Sequence, residues 1–335
     1  MEYRSLGRTG LKVSPLCLGA MMFGAWGNRD REECIRIIHR ALDAGINFID
    51  TSNNYSAGES EEIVGEALRE RRGERDEIVL ATKVWSPMGP GVYDRGLSRK
   101  AIQQQVEASL KRLKVEAIDL YQTHRPDPTT PLEETLSTLT DLVRQGKVRY
   151  LGCSTNHYEG PEPWEKRLAA WEIVESLWLS ERTGFERFVC LQPPYSILRR
   201  TMELDHFPMT RKHGLGNIVW SPLEGGWLTG KYRRESGNPK DSKRSVTWIG
   251  DLGNPKFQRR LEIVERLLPL AEAKGVSAAR FANAWALRHP AVTSVIIGPR
   301  TMEQLEDSLG ALDVRITDEE AAKIDELVPP GTSAL

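Results

Sequence analysis

Cysteine is scarce in this chain: four in 335 residues, at Cys17, Cys34, Cys153 and Cys190. No two of them stand at metal-ligand spacing, which argues against a zinc site. Cys17, Cys153 and Cys190 fall in strand-like apolar runs, so they read as reduced, buried thiols of a cytoplasmic protein rather than a disulfide framework. Long apolar runs are missing too. Nothing approaches the roughly 18 residues of a membrane span, and Met1-Glu2-Tyr3-Arg4 carries no apolar signal core. A net charge of −1 offers no field that would gather nucleic acid or a membrane surface. No Gly-x-Gly-x-x-Gly opens a helix after a first strand, which weighs against a doubly wound dinucleotide-binding domain. A soluble cytoplasmic protein with a small-molecule partner is the expectation.

What is present is regular alternation. Charged residues make up 28% and hydrophobic ones 39%, a balance that suits a globular chain. Short apolar runs at 16–19, 46–50, 78–83, 118–123, 148–153, 187–191, 217–220 and 293–297 read as strands. Amphipathic segments near 30–44, 60–72, 98–113, 131–146, 163–182, 203–213, 277–289 and 301–312 read as helices, and Thr317-Asp318-Glu319-Glu320 opens one more, to Leu327, with a capping box. Such alternation builds a parallel sheet with right-handed crossovers. Eight units without a linker favour closure into one (β/α)8 barrel domain over 1–335, a fold that needs about 250 residues plus insertions.

In such a barrel the strands' C-terminal ends share one face, where chemistry gathers. Asp50 ends the run Ile46-Asn47-Phe48-Ile49, and Tyr55 lies five residues beyond it. Lys83 ends Val79-Leu80-Ala81-Thr82, and His124 follows Ile118-Asp119-Leu120-Tyr121-Gln122-Thr123. A phenol titrates near 10, too high for an efficient donor at neutral pH. A nearby ammonium favours the phenolate and is expected to lower that value, with the carboxylate holding the lysine charged. A histidine can orient a carbonyl oxygen. Asp50, Tyr55, Lys83 and His124 together describe a general acid for an oxygen that gains negative charge.

These residues carry a resemblance. Asp50-Thr51 through Tyr55, followed by Gly58-Glu59-Ser60-Glu61 and Gly65, resembles the catalytic-tetrad segment of the aldo-keto reductases, with Lys83 and His124 at the positions of the other two members. Tyr3 to Leu11 looks like that family's N-terminal hairpin. Gly152-Cys153-Ser154-Thr155-Asn156, Gln192, Trp220-Ser221-Pro222-Leu223 and Gly298-Pro299-Arg300-Thr301 with Gln304 look like its cofactor-binding segments, so the likeness runs from about residue 3 to about 328. It implies a TIM barrel with an N-terminal β-hairpin and a long cofactor-covering loop after the seventh strand, and NADPH-dependent reduction of an aldehyde or ketone. It also implies that Ser154, Asn156 and Gln192 hold the nicotinamide carboxamide and that Trp220 stacks on the ring, where many relatives have tyrosine. Gly19, Ser221, Pro222, Leu223, Gly225, Lys231, Arg244 and Gly298 complete the implied cofactor set. Arg300 offers a planar, permanently charged fork to a 2′-phosphate, favouring NADP over NAD. Asp307 and Ser308 stand where the family often has Glu and Asn, and would contact adenine.

Residues 225–256 break the strand–helix rhythm with repeated glycines and basic side chains, among them Lys231, Lys243 and Arg244. A loop of that length is usually functional or disordered. The aromatics and neighbours Met22, Phe23, Trp26, Trp85, Tyr93 and Tyr195 are candidate walls of a substrate pocket, suited to sugar-like or aromatic carbonyls. A second expectation is a cofactor-binding redox sensor, since some proteins of the resembled fold are β subunits of potassium channels. This chain shows no basic N-terminal arm of the kind that would act as an inactivation peptide.

Overall fold

The structure is a computed structural model, and it describes residues 1–156, 167–233, 252 and 254–334. A two-stranded hairpin comes first, β1 (Arg4–Ser5) and β2 (Lys12–Val13). Eight parallel strands then close into a barrel: β3 (Leu16–Gly19), β4 (Phe48–Asp50), β5 (Val79–Val84), β6 (Ile118–Thr123), β7 (Val148–Ser154), β8 (Phe188–Gln192), β9 (Gly216–Val219) and β10 (Ser294–Ile297). They run in that order round the ring, with β10 pairing back onto β3. The helices are α1 (Arg31–Asp43), α2 (Glu59–Glu70), α3 (Arg99–Leu113), α4 (Leu132–Arg144), α5 (Ala170–Thr183), α6 (His206–His213), α7 (Pro255–Ala273), α8 (Ala278–Arg288), α9 (Met302–Leu309) and α10 (Asp318–Leu327). This is the expected (β/α)8 barrel with its hairpin.

Two helical expectations change. Helix α7 was not among the expected segments, although Phe257, Leu261, Val264, Leu268 and Ala271 are buried at helical spacing. Pro269, inside the helix, reads as a breaker. The expected helix over 163–182 begins only at Ala170, and its first residues, up to 166, lie outside the described residues. Arg244, Lys243 and most of the long loop after β9 also lie outside them.

Alternation along the strands sorts side chains into two cores. Outward residues such as Leu18, Ile49, Leu80, Leu191 and Val295 pack under the helices. Inward residues Cys17, Phe48, Ala81, Leu120, Cys190 and Ile218 join Leu6 and Val13 of the hairpin in a separate cluster. The hairpin thus plugs the N-terminal end of the barrel. Its turn needs glycine at Gly7 (φ +58°), where a Cβ would sit 2.6 Å from Val189 O and 2.7 Å from Gly214 O. One step further along the strands, the inward positions change character. Two residues past Phe48, Ala81, Leu120 and Cys190 stand Asp50, Lys83, Gln122 and Gln192, a buried polar layer at the open mouth.

Candidate active site

Lys83 is fully buried and donates to Asp50 Oδ2 at 2.5 Å, to Thr51 O at 2.9 Å and to the Tyr55 hydroxyl at 3.2 Å. Asp50 Oδ1 in turn accepts from Gln122 Nε2 (3.0 Å) and Gln192 Nε2 (2.9 Å). A buried ion pair is tolerable only when its remaining valences are met, and here both carboxylate oxygens are. Tyr55 follows β4 through a bent segment in which Ser56 (φ 49°), Ala57 (φ 57°) and Gly58 (φ 100°) are left-handed. For a non-glycine residue that conformation costs of order 1–3 kcal/mol, so surrounding contacts must hold it. They come from the Gly58–Glu61 run: Glu59 accepts from Ala25 N, Ser60 Oγ donates to Ala20 O, and Glu61 takes Thr82 Oγ1 and the Arg112 guanidinium. The motif that flags the tyrosine is therefore the brace for its turn.

The His124 ring meets Tyr55 edge-on, centroids 5.9 Å apart, with Nδ1 3.2 Å from Ser52 Oγ. Burial, then Lys83 and Arg125, hold its pKa well below the ordinary value, so the ring is neutral at physiological pH. Lys83 behaves oppositely. Burial pulls it down, but Asp50 and Tyr55 outweigh that and it ends above its ordinary value. Tyr55 corrects an expectation. Burial raises its pKa more than Lys83 lowers it, so the phenol titrates above its ordinary value, not below it.

The structure brings together most of the expected cofactor residues but binds several to protein partners. Ser154 Oγ donates to Gln192 O, and Gln192 Nε2 also reaches Gln122 Oε1 at 3.2 Å. Asn156 Oδ1 accepts from the Arg125 guanidinium at 3.1 Å, once the amide is oriented to satisfy both groups. The Trp220 indole donates to Thr155 O at 3.3 Å, which fixes its plane between the ends of β7 and β9. After it Ser221 (φ 56°), Glu224 (φ 46°), Gly225 and Gly226 are left-handed, a tight turn over Pro222 and Leu223 that leads to Lys231. At Gly226 a Cβ would lie 2.7 Å from Lys231 Nζ. Gly19 lacks a side chain for a packing reason, because a Cβ would meet Ile296 Cγ2 at 2.5 Å. Gly298 faces open space, and the Gln304 side chain accepts from Arg300 N at 2.9 Å. Asp307 is engaged elsewhere, with Ser277 Oγ at 2.6 Å and Arg280 at 3.3 Å, and Ser308 Oγ bonds back to Gln304 O.

Of the expected pocket wall, Trp26 is half exposed, its ring 5.9 Å from that of Tyr55. Met22 is nearly buried. Trp85 lies under Arg125 (5.5 Å) and Tyr93 under Lys100 (4.1 Å). Phe23 and Tyr195 do not belong to the wall. Phe23 is wholly buried, and Tyr195 stacks on Trp285 at 5.1 Å while its hydroxyl donates to Glu203. Each follows a strand, yet the ring of each belongs to the buried core. Sequence reasoning also gave no role to Gln122 or Arg125. The signal for Gln122 was a polar residue at an inward strand position. For Arg125 it was only adjacency to His124.

Residues 15–329 match the Aldo/keto reductase family, and the chain belongs to that family. It is 39% identical to "Uncharacterized oxidoreductase YrpG" of Bacillus subtilis (strain 168) over 99% of this chain and 97% of that one. It is 37% identical to "Probable voltage-gated potassium channel subunit beta" of Arabidopsis thaliana, over 94% and 92% of the two chains. A protein of the same description in Oryza sativa subsp. japonica is also 37% identical, over 98% and 97%. The family implies a nicotinamide cofactor, and two features fit one. Both N–H bonds of Gln192 are spent inside the barrel, which leaves its Oε1 as an acceptor for a carboxamide. Arg300, at the start of α9, has no ion-pair partner among the described residues, which leaves its guanidinium for an anion. No helix of the described residues is long and apolar enough to cross a membrane.

Proposed function

We propose that this protein is an NADPH-dependent oxidoreductase that reduces an aldehyde or ketone to the alcohol, with Tyr55 as general acid. The observation that carries this reading is the lysine between carboxylate and phenol. An ammonium has three donors and no acceptor, and Lys83 gives one each to Asp50, Thr51 O and the Tyr55 oxygen. The phenol oxygen therefore accepts from Lys83, and its own proton is free for the oxygen of a substrate. The raised pKa keeps that proton in place until the substrate oxygen becomes basic. The phenolate left behind is stabilised by Lys83 and regains a proton from water.

When bound, a reduced nicotinamide would supply the hydride to the carbonyl carbon. Gln192, Ser154 and Asn156 would hold its carboxamide, Trp220 its ring face, and Arg300 with Gln304 the 2′-phosphate. Lys231 and the Ser221–Gly225 turn would meet the diphosphate. His124 is neutral; in the tautomer whose Nδ1 accepts from Ser52 Oγ, at the expense of the 2.8 Å bond from Ser52 Oγ to Asn54 Oδ1, the ring would donate from Nε2 to orient the carbonyl. Trp26 and Trp85 suit a sugar-like or aromatic substrate.

Tyr55→Phe tests this. Positioned acids contribute about 100- to 10,000-fold, so kcat for carbonyl reduction should fall by at least that lower factor while NADPH binding stays nearly intact. Retention of more than about a tenth of kcat would place the proton source elsewhere. The potassium-channel names of two relatives support a second reading, a cofactor-binding regulatory subunit. Failure to turn over any member of a carbonyl panel, despite tight NADPH binding, would favour it.

A further inference from the structure

The polar layer at the barrel mouth holds four side chains, and the chemistry above uses Asp50 and Lys83 directly. Gln122 is fully buried and bonds to two of the other three, Asp50 and Gln192. Its Nε2 donates to Asp50 Oδ1 at 3.0 Å and its Oε1 accepts from Gln192 Nε2 at 3.2 Å. Room for it is built in: a Cβ on Gly152, in the next strand, would lie 3.0 Å from Gln122 Cγ. We propose that Gln122 is a positioning residue that links the catalytic carboxylate Asp50 to Gln192, the side chain that would receive the nicotinamide carboxamide. The inference rests on the proposed nicotinamide-dependent function.

The hydrogen-bond chemistry fixes the chain's direction. Asp50, paired with an ammonium, is ionised and can only accept. Both glutamines must therefore turn their NH2 groups toward it. Gln122 then presents Oε1 to the second hydrogen of Gln192 Nε2. With both hydrogens anchored, one on Asp50 and one on Gln122, the amide of Gln192 has a single orientation, and its Oε1 is the free acceptor. Remove Gln122 and Gln192 keeps one anchor, so its acceptor is no longer held toward a carboxamide. Asp50 simultaneously loses one of the two donors on Oδ1, which loosens its hold on Lys83. One buried amide thus couples the proton-transfer pair to the seat of the hydride donor's ring.

The test uses Gln122→Met, close in length and unable to hydrogen-bond, and two ligands followed by tryptophan fluorescence and calorimetry. NADPH carries the nicotinamide, whereas adenosine 2′,5′-bisphosphate shares its 2′-phosphate and one phosphate of its diphosphate and lacks the ring. Loss of one buried hydrogen bond is worth about two- to twelvefold in affinity. NADPH should weaken by that factor and the bisphosphate by none. In kcat the effect should be non-additive, Gln122→Met costing less in an Asp50→Asn background than in the wild type. Equal weakening of both ligands would assign Gln122 to general folding, and unchanged NADPH affinity with additive kcat losses would also overturn the proposal. If Gln122→Met does not fold, Gln122→Asn, one methylene shorter, withdraws the amide from both partners and carries the same expectations. Wild-type turnover with NADPH is measured first. If the wild type binds neither ligand, both this inference and the function on which it rests fail, and if it turns over while the variant is unchanged, only the inference does.

Discussion

At the scale of single residues, the site works by competition between burial and charge. Burial pulls the pKa of Lys83 down, as it does that of His124. Lys83 stays charged because Asp50 and Tyr55 face it directly, while His124 faces the like charges of Lys83 and Arg125. The order of importance follows. Lys83→Met removes the charge next to the phenolate, so kcat should drop sharply, and the Tyr55 pKa, already above its ordinary value, should rise further. In the proposed reduction the protonated phenol is the active form, so the rate should be lost as pH rises through that pKa, and the alkaline limb should move up in the variant. Asp50→Asn leaves the ammonium in place and should cost less than Lys83→Met. Rate–pH profiles of the three proteins decide it, and a larger loss in Asp50→Asn than in Lys83→Met would reverse the assigned roles. The four residues were readable because each is an uncommon type at a strand end. The sign of the Tyr55 shift was not, since sequence names the neighbouring charge but not the depth of burial that outweighs it.

At the scale of elements, the proposed cofactor choice rests on the connections after the strands. The β10–α9 connection sets Arg300 beside a helix start whose cap is already complete. Thr301 Oγ1 accepts from Gln304 N, Gln304 Oε1 accepts from Arg300 N, and Asn28 Nδ2 donates to Arg300 O at 2.8 Å. The backbone of Arg300 is pinned and its guanidinium is left to a ligand. Charge-assisted bonds to a phosphate contribute roughly 1.5–3 kcal/mol, about 10- to 150-fold in affinity. Arg300→Ala should therefore weaken NADPH by about that factor and leave NADH nearly unchanged, as read from Kd values for each cofactor. The preference should also shrink as salt rises. Equal losses for both cofactors would make Arg300 structural. The motif Gly298-Pro299-Arg300 was legible in the sequence, and the engagement of Asp307 by Arg280 was not, because Arg280 lies on α8, an element away. Helix α7 shows the opposite failure. Its apolar periodicity was in plain view, but Pro255 and Pro269 masked it, and packing under the barrel overrode the local penalty.

At the scale of the whole molecule, the barrel divides its labour between its two ends. The open mouth carries the polar layer, and the N-terminal end is sealed by the hairpin's Leu6 and Val13 against Cys17, Phe48, Leu120, Cys190 and Ile218. The alternation of eight apolar runs was enough to foresee closure, since each run had a helix to cover its outer face. The plug was foreseen only as a hairpin by resemblance, because nothing in Tyr3 to Leu11 says which end of a barrel it seals. Chemistry in such barrels sits at the C-terminal face, while the other end serves stability. Leu6 is completely buried, and truncating a buried leucine to alanine costs about 2–5 kcal/mol. Leu6→Ala should lower the unfolding free energy, obtained from the urea midpoint and slope, by an amount in that range and leave kcat and the cofactor Kd of the folded protein within about twofold. Urea unfolding followed by circular dichroism gives the first quantity, and steady-state assay of the same sample gives the second. The division of labour predicts that the two measurements separate. A kcat loss that tracked the stability loss, at temperatures where the variant is fully folded, would mean that the plug reaches through the inner core to the Asp50–Lys83 layer, and that the two ends act as one.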